Sequence, residues 1–347
     1  MDLPITHGRA AEPEPHADGM GDEVRGEFRG HAGHTGHFIQ TVDSPFGASL
    51  EAVLHEACAG RLSALTWFRT TWQRGGALTG YATFVDGTGP HQVVAKLPVP
   101  PCERQWLLRL QDGVDIVPRI FAEGETLGGY DIAWVVMERL PHGPLGSGWG
   151  GCEFDLLVEA ACRFYELAGR IPVNEPPPER NWWQTFEQAR ENLKVHDLEN
   201  EQRWKNAFKL VHHKLPHWLA TWDGRPTDQW CHGDLHLANA LSRLPSPAGP
   251  AILIDFALVH AGHWIEDAVY LEHLFWARRQ RLGGRKLCSQ IARERKKRGL
   301  PVDNDWPRLA SIRRALMAMS TPATLQHDGD KHHVRAALEV LETEVRG

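Results

Sequence analysis

Three oxygen-bearing side chains lie close together in the stretch CHGDLHLANALSRLPSPAGPAILIDF. They are Asp234, Asn239 and Asp255, the last of which ends a short apolar run. Carboxylate and amide oxygens are hard ligands that suit Mg²⁺ better than a soft metal. Two such ligands leave an octahedral site incomplete, and phosphates and water commonly complete it. If Asn239 and Asp255 hold the metal, Asp234 is free to accept a proton from a hydroxyl, which is the layout that phosphoryl transfer needs.

Phosphoryl transfer also needs a cation that holds the phosphates, and the sequence offers one upstream. Lys96 lies inside the apolar run VVAKLPV, where a lone lysine is costly to bury. Glu103 follows seven residues later, at the start of a predicted helix, and could pair with it. Two simpler interpretations stay open. Lys96 could extend its ammonium from an edge strand, and Glu103 could be a favourable charge near a helix N-terminus.

A second class of protein would use the histidines of the same stretch. His232, His236, His260 and His263, together with Asp255, could ligate zinc in a metal-dependent hydrolase. Against this reading, the sequence lacks the HExxH pattern, and the histidines four residues apart precede a strand-like segment rather than a helix. A third class, a nucleotide-binding pseudokinase, is disfavoured because the base, both metal ligands and the lysine are all present.

The elements that must position these residues differ between the two halves of the chain. Three strand-like runs, 64–72, 77–85 and 92–99, are separated by glycine-rich turns and predict an antiparallel meander. The Gly- and Pro-rich segment 141–151 marks a boundary, and apolar residues then recur with helical spacing over 154–168. We therefore expect an α+β fold of two lobes, with a small antiparallel sheet followed by a larger, mostly helical lobe.

The 347 residues divide on this basis into three parts. Residues 1–40 are predicted to be a flexible tail, residues 41–140 a nucleotide-binding lobe, and residues 141–347 a lobe with the catalytic loop, the metal ligands and the acceptor site. The tail contains three evenly spaced histidines, His31, His34 and His37. They could bind a metal adventitiously, but a solvated tail is the favoured interpretation because closing a metal site in a flexible chain costs entropy.

Composition narrows the cellular setting. The chain is 42% hydrophobic and its net charge is -6, so it is typical of a globular protein and a poor candidate for nucleic-acid binding. The six cysteines include no CxxC pair, no apolar run approaches the ~18 residues that span a bilayer, and the N-terminus lacks a signal-peptide pattern. We expect a cytoplasmic protein with reduced thiols and no membrane partner. Oligomeric state is left open.

The distribution of charge bears on the substrate. Residues 1–37 contain seven acidic and three basic residues, a net charge of -4, which leaves -2 for the remainder. Composition therefore gives little support for a cationic substrate. Tryptophan is abundant in the predicted helices, at Trp182, Trp183, Trp204, Trp218 and Trp222. These side chains are predicted to pack in the core, and the alternative is that some of them cover an apolar or cationic substrate.

The motifs HGDLHLAN and IDFALVHAG resemble those of a known family. They are similar to the catalytic and metal motifs of the aminoglycoside phosphotransferase and choline kinase family, relatives of protein kinases, whose common form is HGDxxxxN followed by a strand and an aspartate. Lys96, Glu103 and the hinge-like segment VVMERLPHG occur in the order that this family requires. The resemblance covers roughly residues 50–345 and implies a two-lobed protein-kinase-like fold.

The resemblance implies a role for each matching residue around Mg²⁺ and ATP, with GTP as the alternative nucleotide. Asp234 would orient or deprotonate the acceptor hydroxyl, and Asn239 and Asp255 would hold Mg²⁺. Lys96, positioned by Glu103, would contact the α and β phosphates.

Other positions of this sequence take supporting roles by the same resemblance. The backbone around Glu138 and Leu140 would bind the adenine beside Met137. His232 would brace the catalytic loop. Asp267 would support that loop or line the acceptor site, for which His236 is the other candidate.

This chain departs from the kinase pattern at three places. The loop that would cover the nucleotide reads QRGG rather than GxGxxG, so Gly75 and Gly76 are its candidate phosphate contacts. Ala257 stands where protein kinases have the glycine of DFG, and Gly233 replaces the arginine of HRD. These departures favour a small-molecule kinase over a regulated protein kinase. The expected acceptor is a hydroxyl of an aminoglycoside-like antibiotic, choline, a sugar or an amino alcohol.

Overall fold

A computed structural model describes most of the chain. It covers residues 39–41, 45–70, 76–113, 115–148, 150–195, 198–324 and 330–347. The histidines of the predicted tail and the candidate phosphate contact Gly75 lie outside the described residues. The predicted tail extended to residue 40, but Ile39–Thr41 form a strand.

The first half of the chain builds one six-stranded sheet. Its strands are β1 Ile39–Thr41, β2 Leu62–Thr70, β3 Leu78–Asp86, β4 Gly89–Leu97, β5 Ile120–Gly124 and β6 Trp134–Glu138. They lie in the order β1-β2-β3-β4-β6-β5, and every neighbouring pair is antiparallel. Two helices accompany the sheet, α1 Pro45–Ala57 and α2 Pro101–Arg109. The predicted meander therefore corresponds to β2, β3 and β4.

Strand β4 shows how the sheet positions Lys96. Val93, Ala95 and Leu97 are almost completely buried in the apolar core of the sheet. Because successive side chains of a strand point to opposite faces, Lys96 lies on the face opposite that core. The same alternation that makes 92–99 read as a strand thus turns the lysine away from the core.

The second half of the chain is mostly helical. Its helices are α3 Glu153–Ala168, α4 Trp182–Val195, α5 Glu201–Asp223, α6 Ile265–His273, α7 Leu287–Lys297, α8 Trp306–Ser320 and α9 Lys331–Glu344. Short strands interrupt them, β7 Gln229–Cys231 paired with β10 His260–Gly262, and β8 Ala240–Leu241 paired with β9 Ile252–Leu253. The α+β fold class, with a small antiparallel sheet before a larger helical part, is confirmed.

Helix α2 precedes most of the helical part in sequence but packs with it. Trp106, Leu107 and Leu110 belong to the large helical core rather than to the core of the sheet. The rings of Trp106 and Trp230 meet edge to face, with 4.8 Å between their centres. Glu103 on the same helix therefore stands where the sheet and the helical part meet.

Most of the tryptophans singled out in the sequence pack as predicted. Trp182, Trp204, Trp218 and Trp222 are buried, whereas Trp183 is 38% exposed. None of the described helices is both long and apolar enough to cross a membrane.

Candidate active site

The loop after β7 carries most of the residues predicted to do chemistry. Strand β7 pairs with β10, and the hairpin of β8 and β9 returns the chain to the same place. The amide of Ile254 donates to the Asn239 carbonyl oxygen at 3.0 Å. This hydrogen bond brings Asn239 next to Asp255, although sixteen positions separate them in sequence. We call residues 232–239 the catalytic loop.

Asp234 is held by hydrogen bonds to both of its carboxylate oxygens. The Tyr270 hydroxyl donates to Oδ1 at 2.6 Å, and the Asn239 side-chain amide donates to Oδ2 at 3.0 Å. The Nε2 atom of His236 lies 3.4 Å from Oδ2. Burial alone would raise the pKa of Asp234, but the hydrogen bonds from His236, Tyr270 and Asn239 lower it below the usual range. The carboxyl is therefore ionised at neutral pH.

Asn239 and Asp255 present oxygen atoms suited to a hard cation. The Asn239 amide nitrogen donates to the backbone oxygen and to Oδ2 of Asp234, which leaves its Oδ1 as the remaining acceptor. Asp255 has a left-handed backbone (φ 63), and within the described residues its carboxylate accepts no hydrogen bond. Such backbone conformations are uncommon outside glycine and cluster at functional sites. The two side chains fit the oxygen ligands of Mg²⁺.

Asp267 supports the catalytic loop through hydrogen bonds to its backbone. Its Oδ2 accepts from the His232 amide at 2.8 Å and from the Tyr165 hydroxyl at 2.9 Å, and its Oδ1 accepts from the Gly233 amide at 2.8 Å. The side chain is 1% exposed. Of the two roles left open by the sequence, this geometry fits support of the loop and does not fit a wall of the acceptor site.

His232 and His236 differ in their surroundings. His232 is fully buried, accepts from the Asp234 amide through Nδ1 at 3.3 Å, and packs against Phe256. Burial lowers the pKa of His232, so its ring is neutral. His236 is half-buried, accepts from the Ala238 amide through Nδ1, and directs Nε2 at Asp234. His236 therefore touches the predicted base, and His232 shapes the loop.

Lys96 and Glu103 form a close ion pair. The Lys96 ammonium lies 2.6 Å from Oε1 and 2.7 Å from Oε2 of Glu103, and the glutamate is 2% exposed. Burial raises the pKa of Glu103, and the Lys96 ammonium opposes that increase. The negative charge of Asp255 raises it further, which places the metal-ligand candidate within electrostatic reach of the pair. Lys96 thus reaches toward helix α2 rather than into solvent from an edge strand.

Some of the polar groups in the hinge segment already have hydrogen-bond partners within the protein. The Glu138 amide donates to the Arg119 oxygen at 2.7 Å, and the Arg139 amide donates to the Gln92 oxygen at 3.0 Å. Arg243 binds the Glu138 carboxylate at 2.6 Å, so that side chain is engaged within the protein. Among the described residues no acceptor takes the Leu140 amide, which leaves its N–H available to a ligand. Two further candidates from the sequence lie in the first half of the chain. Met137 stands opposite Val94 on β4, and Gly76 precedes β3.

The histidines proposed for a hydrolase do not converge. His263 is buried and bonds Asp303 through Nε2 at 2.9 Å. In the described part of the chain, the cluster that could ligate a metal is Cys231, His260 and Glu266. Glu266 is already bound by an arginine 3.0 Å away, which disfavours a cation there. The zinc-site grouping of the four histidines with Asp255 is therefore wrong.

Three residues that the sequence did not single out complete the site. Tyr270 bonds Asp234, Tyr165 bonds Asp267, and Arg243 holds Glu138. Tyr270 follows Asp267 by three positions, so helical spacing could have placed both near the loop. Tyr165 and Arg243 lie 102 and 105 positions from their partners, so no local sequence pattern predicts these contacts.

The fold and the catalytic loop define a kinase-like class of phosphotransferase, and comparison with known proteins identifies the family. A sequence profile of the phosphotransferase enzyme family, which includes the aminoglycoside phosphotransferases, matches residues 56–327. Because this match spans more than half of the chain, the protein belongs to that family. No curated protein sequence matches the chain.

Solved structures share the fold at low sequence identity. A protein from Ralstonia eutropha JMP134 that bears the name of an aminoglycoside phosphotransferase is 16% identical, with a TM-score of 0.55 over 86% of this chain and 97% of its own. A microcompartment-associated aminopropanol kinase is 17% identical, with a TM-score of 0.51 over 86% and 95%. Aminoglycoside phosphotransferase APH(4)-Ia is 13% identical, with a TM-score of 0.50 over 86% and 98%. These similarities concern the fold.

Proposed function

We propose that this phosphotransferase moves the γ-phosphoryl group of ATP, with Mg²⁺, to a hydroxyl of a small molecule. The observation that carries the proposal is the Asp234 carboxylate, ionised and fixed by Tyr270 and Asn239. A fixed carboxylate can accept a hydrogen bond from an alcohol and aim its oxygen at the phosphorus atom.

The residues around Asp234 divide the remaining tasks. As the acceptor oxygen forms its bond to the γ-phosphorus, the bond to the ADP oxygen breaks and the hydroxyl proton passes to Asp234. Lys96, held by Glu103, binds the phosphates of the nucleotide. Bound Mg²⁺ supplies charge neutralisation of the phosphates, and Asn239 Oδ1 and Asp255 are the side chains that hold it.

The proposed function also includes a site for the nucleotide base and a location in the cytoplasm. The Leu140 amide, which has no acceptor among the described residues, is the proposed hinge donor, and Met137 is the apolar neighbour. The base could belong to ATP or GTP, because both carry a ring acceptor for that amide. All six cysteines are free thiols, which fits an ATP-consuming enzyme of the reducing cytoplasm.

The test is a nucleotide-consumption screen against hydroxylated metabolites and antibiotics, with three variants. Asp234→Asn should lower turnover by roughly 10²- to 10⁴-fold, because it removes the proton acceptor, while the melting shift induced by MgATP persists. Asp255→Asn should abolish that Mg²⁺-dependent shift. Asp223→Asn, an exposed aspartate at the end of α5, is the control and should change neither measurement.

Two other outcomes would contradict the proposal. Stoichiometric zinc in the purified protein, without any effect of nucleotide on melting, would favour a hydrolase. Nucleotide binding without turnover of any hydroxyl compound would favour a pseudokinase.

A further inference from the structure

Arg313 is a half-buried arginine that forms no salt bridge with the described carboxylates. It lies on α8, and its guanidinium carbon is 5.6 Å from the ring centre of Trp182 and 5.4 Å from that of Trp222. Within the described residues it forms no ion pair and no hydrogen bond, and its Nε atom is shielded from solvent without an acceptor. A shielded cation is costly when the nearest carboxylate is already bound by another arginine, as Glu266 is by Arg225, so this position favours an anion.

Two further arginines flank the same pair of indole rings. Arg180 lies 4.2 Å from the Trp182 ring centre, and Arg225 lies 4.1 Å from that of Trp222. Arg180 is exposed, and in the described part of the chain no carboxylate pairs with it. Arg225 is committed to Glu266 at 3.0 Å. The cations over these tryptophans thus belong to the protein itself, which argues against the idea that the rings cover a cationic substrate.

The carboxylates of the neighbouring helix α6 are already occupied. Arg225 holds Glu266, and backbone amides together with a tyrosine hydroxyl hold Asp267. Arg314 binds Glu272 at 2.6 Å. The Glu266 charge also acts on Arg313, so this one carboxylate stands against two guanidinium groups. The cluster therefore carries more positive than negative charge.

Arg313, on the helix that packs against α6, lies near the face of α6 that carries Tyr270. Glu266, Tyr270 and His273 are spaced four and three residues apart, so they share one helix face, and the Tyr270 hydroxyl touches Asp234. Burial would raise the pKa of Glu266, but a hydrogen bond from a histidine and the charges of Arg313 and Arg225 lower it to about 2. Burial, a neighbouring histidine and the Arg313 charge lower the pKa of His273 to about 4. Arg313 therefore acts on positions one turn to either side of Tyr270.

We propose that the acceptor is a small hydroxyl compound that carries an anionic group, a carboxylate or a phosphate, and that Arg313 and Arg180 bind this group while the hydroxyl reaches Asp234. The planar guanidinium matches both anions through paired hydrogen bonds. The proposal rests on the proposed function and adds the substrate class. It separates this chain from a kinase for a cationic amino alcohol or aminoglycoside.

The test uses four small alcohols that differ in charge: glycerate, glycerol 3-phosphate, glycerol and 2-amino-1,3-propanediol. Each is added to the full-length protein with Mg²⁺ and a non-hydrolysable ATP analogue, and the melting temperature is measured. ATP consumption is measured in parallel. Glycerate or glycerol 3-phosphate should raise the melting temperature and act as an acceptor at lower concentration than the other two. Comparison of these two anions tells a carboxylate site from a phosphate site.

Substitutions of the two arginines test whether they cause the preference for an anionic acceptor. Arg313→Gln should weaken the anionic acceptor by roughly tenfold or more, because a hydrogen-bonded charge is lost, and should leave glycerol unchanged. Arg180→Gln, at an exposed position, should act in the same direction without endangering the fold. Arg308→Gln on the same helix is the control, since Arg308 is exposed and bonds His217 and Thr221.

Three results would overturn the inference. These are equal or stronger binding of 2-amino-1,3-propanediol, an anionic preference that survives both Arg313→Gln and Arg180→Gln, or no response to any of the four alcohols. None of these results contradicts the proposed phosphoryl transfer. That proposal is contradicted if Mg²⁺ and ATP have no effect on the melting temperature.

Discussion

At the scale of single residues, the site is built around the Asp234 carboxylate, whose orientation is fixed by hydrogen bonds. Tyr270 and Asn239 each bind one oxygen of Asp234, and His236 approaches from the side. Hydrogen bonds to the ionised form outweigh burial and lower the pKa of Asp234. The group is thus a weak base that is always charged, which suits a residue that orients a hydroxyl more than one that removes its proton early.

Tyr270→Phe tests this view of Asp234, with Tyr270 as a positioning residue. The pKa of Asp234 is below its ordinary value of 3.8, so its stabilising contacts persist above that pH and are lost as the pH falls through the lower, folded-state pKa. Without the tyrosine donor the folded-state pKa should rise. The acid limb of the kcat/KM profile should then move to higher pH, and turnover should fall by about tenfold.

The control for this variant is Tyr130→Phe, at a side chain that is 66% exposed. It should leave the pH profile in place. An unchanged acid limb in Tyr270→Phe, with melting also unchanged, would show that Tyr270 does not tune Asp234.

At the scale of elements, the site contains two left-handed backbone positions, Gly233 (φ 82) in the catalytic loop and Asp255 (φ 63) after β9. Glycine is needed at the first because an added Cβ would overlap the Leu258 carbonyl oxygen. Asp267 then holds the amides of His232 and Gly233. The loop is therefore a rigid support for Asp234 rather than a flexible connection.

Gly233→Ala should disrupt this support. The substitution combines an unfavourable φ with a clash against backbone, so we expect a loss of stability of about 2 kcal/mol or more and loss of most turnover. Chemical denaturation and the kinase assay measure both effects. Gly87→Ala is the matched control, because a Cβ there meets nothing within 4 Å. Equal stability of the two variants would refute the argument.

At the scale of the whole molecule, Lys96 and Glu103 join the sheet to the helical part. Lys96 lies on β4, while Glu103 lies on α2, whose apolar side chains belong to the helical core. Removing one partner of such a buried pair leaves an uncompensated charge, which costs about 3–5 kcal/mol. The pair is therefore a structural link as well as the proposed phosphate site.

A double-mutant cycle measures that link. Lys96→Met should destabilise the protein by about 3 kcal/mol, and adding Glu103→Gln should recover part of the loss, as measured by urea unfolding. The control pair is Lys205 and Glu201, whose side chains are 48% and 43% exposed. Its coupling should stay below about 1 kcal/mol. A Lys96–Glu103 coupling no larger than this would contradict the buried-pair argument.

Much of the fold could be predicted from the sequence, because the patterns that indicate strands, helices and turns lie in neighbouring residues. Alternation along β4 and helical spacing along α3 reflect which faces are buried, and turns mark the ends of the strands. Asp234, Asn239 and Asp255 lie close together, as their spacing predicted, because β8 pairs with β9 and the Ile254 amide bonds the Asn239 carbonyl oxygen. The extent of the tail was less accurate, because β1 exists only through its pairing with β2.

Only the tertiary structure shows which side chains hold the residues of the site in place and which charges surround them. Tyr165 lies 102 positions from Asp267, and Arg243 lies 105 positions from Glu138, so no local pattern encodes these two contacts. The charge of the acceptor region is also a property of packing. The chain is acidic as a whole, yet Arg313 and Arg180 both lie over Trp182, and neither forms a salt bridge with a described carboxylate. The sequence by itself determined the fold class and the catalytic motif, because burial patterns and hairpin spacing are written in neighbouring residues. The local charge that selects a substrate arises only when distant helices pack together.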